Sequence, residues 1–361
     1  MRVGVDGRSL RDPARTRGIA RYLSGLLSSL ARNFPEDRYA VLVPGPAATE
    51  AAELEAAGIE VHSSRMASRP LFASAALSGR PHLDRMVGGC DVMLLPAVAP
   101  VAVSRGVPYV LTVHDLTFEH RPRDFSAYER AWHRVARPRR LARGAARVIA
   151  DSHAVARELT AEWGIAGGKV AVIPPGPGRP PGRAGAPPDG LPHSFFLAVG
   201  ALEPRKRPDL LVEAHAQAKQ RGLQGGLVLA GDGPLRTELE QSQAILPGFV
   251  DDAVLEALYA RALALVCVSE EEGFGFTPLE AIARGTPAVV SDLPVFDETV
   301  AQGALRIPRG DVGALAEALL RLERDPALRQ RLTADGSAAL ARMSWADAAA
   351  STRTVLAEAA R

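Results

Sequence analysis

Two carboxylates, Glu272 and Glu280, flank a glycine-rich turn with seven residues between them. A carboxylate accepts hydrogen bonds from hydroxyls, so a sugar or a ribose is a natural guest for either. The turn itself, Gly273-Phe274-Gly275-Phe276-Thr277, leads into a helix start. The free backbone N–H groups and the dipole of a helix start suit an anion such as a diphosphate. Glycines at 273 and 275 allow a ligand close to the backbone. A basic cluster, Arg205-Lys206-Arg207, follows an apolar run that ends at Gly200. A guanidinium fork beside an ammonium would neutralise a departing diphosphate, though such a cluster is also a common surface charge run. A third group, His114-Asp115, ends another apolar run. The pair fits a hydrogen bond to a substrate hydroxyl or help with its deprotonation, and equally a structural hydrogen bond.

The elements that must carry these groups are legible around them. Residues 262–269 and 287–290 are apolar runs of strand length on either side of the turn. They predict a strand-loop-helix-strand unit whose loop lies at the carboxyl end of a parallel strand, where doubly wound sheets bind ligands. Thr277 fits the N-cap, Pro278 the first helical position, and Glu280 the third, so Glu280 also fits the second half of a capping box. Upstream, Arg2–Asp6 reads as a strand, residues 7–17 as a polar loop, and Gly18 to about Arg32 as a helix with apolar residues at 23, 26, 27 and 30. Further strands are expected at 39–43, from 58, at 91–95, 108–114, 147–150 and 170–173, alternating with helices. Residues 63–88 have no clear pattern. Helical periodicity runs from Tyr128 to Arg147 with a break at Pro138, and Asp151 or Ser152 fits the cap of the next helix. In the second half, strands are expected at 195–199 and 226–230.

At 361 residues, 47% of them hydrophobic, the chain has enough material for two cores. Proline and glycine crowd residues 174–192, which reads as a connection between domains. The net charge is +2, with 24 basic and 17 acidic residues in 1–178 against 19 and 24 in 179–361. A basic first half suits an anionic acceptor or a membrane surface, or is simply solvated. Residues 119–147 concentrate nine of its arginines. The two cysteines, Cys90 and Cys267, have no metal-ligand spacing and read as buried thiols. No run long enough to cross a bilayer is present, and the N-terminus enters a strand directly, so a cytoplasmic protein is expected. No Gly-x-Gly-x-x-Gly follows the first strand, which disfavours a dehydrogenase.

The stretch Glu-Gly-Phe-Gly-Phe-Thr-Pro-Leu-Glu-Ala-Ile-Ala-Arg-Gly-Thr-Pro-Ala-Val, residues 272–289, resembles the signature of the retaining nucleotide-sugar glycosyltransferases of family 4. The resemblance implies an α/β chain of the GT-B fold, two Rossmann-like doubly wound parallel-sheet domains facing across a cleft. It implies an N-terminal acceptor-side domain at 1–178, a linker at 179–192, a nucleotide-sugar domain at 193–343, and a helix at 344–361 that packs back on the first domain. It places Glu272 on the donor sugar, Glu280 on the ribose, and Lys206 and Arg205 on the diphosphate, although Ala201 stands where many members carry arginine. Gly18-Ile19-Ala20-Arg21-Tyr22 resembles the first cleft loop, with Gly18 offering a free N–H and Ile19 and Arg21 on the acceptor side. His114 falls near the donor sugar, and Asp115 and Ser152 on the acceptor side. Gly231 falls beside the nucleotide, Val250 beside the base, and Gly273 to Thr277 along the donor.

These readings together define the expected function. The chain is read as a retaining, metal-independent hexosyltransferase that uses a nucleotide diphosphate sugar, GDP-mannose ahead of UDP-hexose, as donor substrate without a permanent cofactor. Its acceptor would be a hydroxyl of a glycan, a lipid-linked or a small molecule, with peripheral contact at the inner membrane face compatible and no nucleic acid expected. The alternatives are another GT-B enzyme, such as a nucleotide-sugar epimerase or a sugar phosphorylase, and a non-catalytic nucleotide-sugar-binding scaffold.

Overall fold

The computed structural model describes residues 1–11, 13–45, 49–64 and 66–361. The chain divides into two compact units, Met1–Gly176 together with Ser344–Arg361, and Pro177–Met343.

The first unit holds seven strands: β1 (Arg2–Asp6), β2 (Arg38–Pro44), β3 (Glu60–Ser64), β4 (Val92–Leu95), β5 (Tyr109–Val113), β6 (Arg147–Ala150) and β7 (Val170–Val172). All pairings are parallel, in the order β3-β2-β1-β4-β5-β6-β7. Such strands are covered on both faces, which explains why β4, Val-Met-Leu-Leu, reads as a continuous apolar run rather than an alternating one. The order reverses between β1 and β4. Connections leave these two strands in opposite directions, and a crevice opens at their carboxyl ends.

Three stretches differ from expectation. Residues 7–17 are not a loop: a 3-10 turn covers Arg8–Arg11 and a helix already starts at Pro13 and runs to Asn33. Proline is pre-organised for the first helical position, but no apolar period announces the arginine-rich first turns. Gly18 therefore lies inside the helix, past the first turn, where its N–H is committed to the helix ladder rather than free. The patternless residues 63–88 contain helices Ser68–Ser78 and Leu83–Met86; the longer one buries only Leu71, Phe72 and Ala75, too few to show a period. The break at Pro138 is as expected: helices Ala127–Ala136 and Pro138–Gly144 meet at Arg137, whose φ is 49°.

The helix Trp345–Ala359 belongs to this first unit. Ser344 caps it by accepting from the Ala346 and Asp347 N–H groups at 3.1 and 3.3 Å. The Trp345 ring fills space beside Gly25, where a Cβ would lie 2.5 Å from it. Arg353 bonds Asp37, which also receives the N-terminal ammonium, both at 2.7 Å.

The second unit holds β8 (Phe195–Val199), β9 (Gly226–Ala230), β10 (Ile245–Gly248), β11 (Ala264–Cys267), β12 (Ala288–Ser291) and β13 (Ala304–Ile307), again all parallel. The order is β10-β9-β8-β11-β12-β13, so the switch point lies between β8 and β11. Residues 179–192, expected as a spacer, are pinned to this unit. Gly185 N–H donates to the Ala253 carbonyl at 2.8 Å, and Arg284 donates to the carbonyls of Arg179 and Pro180. Arg284 in turn holds Glu256 through Nε at 2.6 Å and through a second nitrogen, with both side chains under a tenth exposed. Among the described residues no helix is long and apolar enough to cross a membrane.

Candidate active site

In the second unit the loops that follow β8 and β11 flank the switch point, and they carry the two groups with the strongest chemistry. The β8 loop ends in the 3-10 turn Pro204–Lys206; the β11 loop runs from Val268 to Gly275. A backbone bond ties the loops together, Glu270 N–H to the Arg205 carbonyl at 2.9 Å. Arg207 reinforces it with a 2.7 Å ion pair to Glu270. Held this way, Lys206 Nζ meets Glu272 Oε1 in a charged hydrogen bond, and Ser269 Oγ donates to the same oxygen at 2.7 Å. Burial pushes the Glu272 carboxyl up, but Lys206, Arg205 and Ser269 outweigh burial and hold it below the usual carboxylate range. Glu272 is thus an anion with its charge fixed in place. Cys267 lies against it at 3.6 Å; burial and the Glu272 charge push its thiol up to about 11, so it stays protonated and is no nucleophile.

Glu280 is placed differently. The helix runs Phe276–Ile282, and its N-cap is Gly275 at φ 85° with no side-chain cap. Thr277 is the second helical residue, so the capping box does not form. A left-handed glycine already turns the chain into the helix and leaves no N-cap hydroxyl to reciprocate. Glu280 is fully buried and accepts from Tyr259 Oη at 3.2 Å and, at 3.4 Å, from the Arg179 N–H. Gly178 packs onto it so closely that a Cβ there would lie 2.7 Å from Glu280 Cγ. The glycines of the donor turn also have neighbours within the protein. A Cβ on Gly275 would meet the Phe296 ring at 2.6 Å, and Gly273, Phe274 and Gly275 are buried, with Phe274 against Phe276 at 5.2 Å. Gly231, with φ 154°, meets the Gly200 carbonyl, so its lack of a side chain is needed by the protein itself. Val250 follows β10 and packs against the apolar cluster under β8 and β9.

In the first unit the expected His114-Asp115 pair does not form. Asp115 turns back to accept from the Thr117 N–H at 3.0 Å. His114 Nδ1 faces Asp151 Oδ2 at 2.5 Å, and Nε2 faces the Pro96 carbonyl at 2.8 Å. The reason is register. Val113 of β5 pairs with Ala150 of β6, so the residues that follow, 114 and 151, emerge side by side. Two acceptors bracket the ring, which favours the doubly protonated cation. Burial opposes that charge, but Asp151 outweighs it and the His114 pKa lies above its ordinary value. Both ring nitrogens are committed, so His114 is a positioned donor rather than a free base. Tyr22, buried on the first helix, packs edge-on against the ring at 4.8 Å and bonds Thr112 at 3.2 Å. From the sequence Asp151 was read only as a candidate helix cap and Tyr22 only as part of the first cleft loop; the pairing of β5 with β6 was the signal that would have joined Asp151 to His114.

The weaker acceptor-side residues are dispersed. Ile19 and Arg21 lie partly exposed on the helix Pro13–Asn33, with Gly18 exposed beside them. Ser152 is buried and caps the helix His153–Trp163, accepting from Val155 N–H at 3.2 Å, so its hydroxyl is occupied. Among the described residues no group of three or more metal-ligating side chains is clustered.

Two doubly wound parallel sheets, each with charged groups on its carboxyl-end loops, define the GT-B class. A family model described as "Glycosyltransferase Family 4" matches residues 16–176, and one described as "Glycosyl transferases group 1" matches residues 191–338. The chain belongs to the group 1, family 4 glycosyltransferases. A protein of Acidothermus cellulolyticus named D-inositol 3-phosphate glycosyltransferase is 30% identical over 310 residues, 76% of this chain and 68% of that protein. A Mycobacterium tuberculosis protein named GDP-mannose-dependent alpha-(1-6)-phosphatidylinositol dimannoside mannosyltransferase is 32% identical over 162 residues, 44% of this chain and 42% of its own. The chain covers between 40% and 56% of other curated relatives with comparable matches. Among solved structures, the Anabaena protein HepE in complex with UDP and glucose matches 99% of this chain and 100% of its own, with a TM-score of 0.72 at 20% identity.

Proposed function

We propose that this protein is a retaining glycosyltransferase that moves a hexose from a nucleotide diphosphate sugar to an acceptor hydroxyl. The observation that carries this reading is the meeting of Lys206 and Glu272 at the switch point of the second unit, from loops 66 residues apart. An ammonium suits the donor diphosphate and a fixed carboxylate suits sugar hydroxyls. Lys206 would exchange Glu272 for the diphosphate, with Arg205 beside it, and so offset the charge that grows on the leaving group. Glu272 would then be free to accept from the donor hexose. Glu280 would take the ribose by exchanging its long bond from Arg179 N–H for a hydroxyl. His114, its pKa raised by Asp151, would donate to the sugar through Nε2 in exchange for the Pro96 carbonyl and not act as base. The acceptor hydroxyl would attack the face from which the diphosphate leaves, without a covalent nucleophile and without a divalent metal.

GDP-mannose is the favoured donor, in keeping with the mannosyltransferase relative, and a UDP-hexose is next. The acceptor is a hydroxyl of a glycan, a lipid-linked or a small molecule. The test is thermal unfolding with UDP, GDP, ADP and dTDP, on wild type and on Lys206→Ala, since a ligand that binds only the folded state raises the midpoint. A rise with one nucleotide, lost in the variant, is expected. Transfer assays with sugars of that base, followed by proton NMR of the product anomer and a repeat in chelator, then read retention and metal independence. No rise with any nucleotide at millimolar concentration would overturn the reading.

A further inference from the structure

The helix Asp252–Arg261 of the second unit carries a polar group that the catalytic reading does not use. Tyr259 is fully buried there, in the apolar cluster of Phe195, Leu197, Leu255 and Leu258. A phenol hydroxyl in such a place costs stability unless it is hydrogen-bonded. It donates to Glu280 Oε2 at 3.2 Å. The rest of the residue is held as well. The Arg284 guanidinium lies over the ring at 5.2 Å, and it is itself fixed by Glu256 at 2.6 Å and by the Glu280 carbonyl at 2.8 Å. Thr286 Oγ1 donates to the Tyr259 carbonyl at 2.6 Å. Both ends of Tyr259 are therefore tied to the helix Phe276–Ile282 or to the chain that follows it.

The two oxygens of Glu280 are thus held in different ways. Oε2 faces a hydroxyl whose ring cannot turn away without opening a close-packed core. Oε1 faces the Arg179 N–H at 3.4 Å, a long bond from a backbone that arrives through Gly178 at a φ of 85°. A ligand at Oε2 would take the acceptor from a hydroxyl set among apolar side chains, which is costly. A ligand hydroxyl at Oε1 would replace a long bond with one of ordinary length. The arrangement favours exchange at Oε1 while Oε2 stays on the tyrosine.

We propose that Tyr259 is a positioning residue for the donor ribose: its hydroxyl pins Glu280 Oε2 and so aims Oε1 at a ribose hydroxyl. Tyr259 touches no substrate itself and acts through Glu280. The inference rests on the reading that Glu280 takes the ribose, and adds which oxygen does so and what directs it.

The test is calorimetric titration of UDP and GDP, and of their 2′-deoxy and 3′-deoxy forms, into wild type, Tyr259→Phe and Thr286→Val. Wild type should bind one of the deoxy forms roughly 10–100-fold more weakly than the ribonucleotide, the value of a hydrogen bond to a carboxylate. In Tyr259→Phe the ring packing stays and the aim is lost. The ribonucleotide should weaken while that deoxy form does not, so the ratio falls to roughly threefold or less. Thr286→Val loosens the same helix contact without touching the hydroxyl; its thermal midpoint should fall and its ratio should stay as in wild type. A second measurement needs no variant. With ribonucleotide bound to wild type, the Arg179 amide should exchange its hydrogen faster, and with the deoxy form it should not. A Tyr259→Phe ratio equal to that of wild type overturns the proposal and leaves Tyr259 a packing residue, and so does a slowed Arg179 amide with ribonucleotide bound. Failure of the underlying reading looks different. Wild type that binds ribonucleotide and deoxy forms alike would remove the ribose from Glu280 and this proposal with it, whereas no binding of any nucleotide would remove the donor reading as a whole.

Discussion

Replacing Lys206 with alanine isolates the central charge pair, and its cost can be worked from the structure. The Glu272 side chain is 11% exposed and that of Lys206 25%. Removing one partner of a buried pair costs about 3–5 kcal/mol, because the other charge is left without compensation. Here a quarter of the lysine is already in water, and Arg205 and Ser269 still face the carboxylate, so about 2–3 kcal/mol is expected. At about 2–4 °C per kcal/mol for a unit of this size, the midpoint should fall by about 4–12 °C at neutral pH. The pH dependence supplies an independent check. In wild type the Glu272 pKa is depressed, so its contribution is present above the unfolded carboxylate value, about 4.3, and is lost as pH falls through the folded value. In Lys206→Ala burial loses its main opponent and the folded pKa moves up. The variant then regains stability as pH falls, and the gap to wild type narrows. Thermal unfolding from about pH 7.5 to 5 reads this directly. Adding Glu272→Gln removes the stranded charge and should recover most of the loss. A gap that stays constant with pH, or a double variant no more stable than Lys206→Ala, would refute the argument.

Two further outcomes follow from the geometry. Gly231→Ala would drive a Cβ into the Gly200 carbonyl at a φ that alanine rarely adopts, so a loss of about 3 kcal/mol or more is expected, read as a lowered midpoint or as insoluble expression. A midpoint within about 2 °C of wild type would show that the close approach relaxes freely. Asp151→Asn removes the charge that raises the His114 pKa. A raised histidine contributes stability that is complete below its unfolded value, about 6.5, and lost as pH rises through the folded value. The deficit of Asp151→Asn should therefore be largest in acid, about 1–3 kcal/mol, and shrink above neutrality. NMR titration of the His114 ring should show its pKa fall in the variant; an unchanged titration would place the cation elsewhere.

The chemistry of the site was legible where it depends on a residue's type beside its own strand, and illegible where it depends on which strands lie together. Glu272, Lys206 and Arg205 each follow an apolar run, and strand ends can be read from composition. Their meeting depends on β11 crossing over to lie beside β8, which no local pattern encodes. His114 shows the same limit in the opposite direction. The adjacent carboxylate in sequence, Asp115, bonds its own loop, and the adjacent carboxylate in space comes from β6 through strand register. The helix at 276–282 was read two residues late because a threonine followed by proline imitates a cap, whereas Gly275 makes the turn by its positive φ. The helix at Pro13 was missed because its first turns are polar.

The two buried pairs differ in where the topology places them, and that difference assigns them different work. Lys206 and Glu272 come from strands on either side of a switch point, where connecting helices diverge and leave a crevice open to a ligand. Their bond is between flexible side chains, and on the proposed reading either end would be exchanged for a phosphate or a hydroxyl. His114 and Asp151 come from β5 and β6, both on one side of the switch in their sheet. There the chain is filled in: Tyr22 closes one side of the ring, the Pro96 carbonyl holds its far nitrogen, and Asp151 is itself 2% exposed. A pair so enclosed has nothing to exchange with at Nδ1, and serves to fix the ring's charge and direction. On the proposed reading, a substrate contact at His114 would come through Nε2 in exchange for the Pro96 carbonyl. By the same reasoning, nucleotide binding should perturb the pairing of Lys206 and leave the His114–Asp151 bond intact.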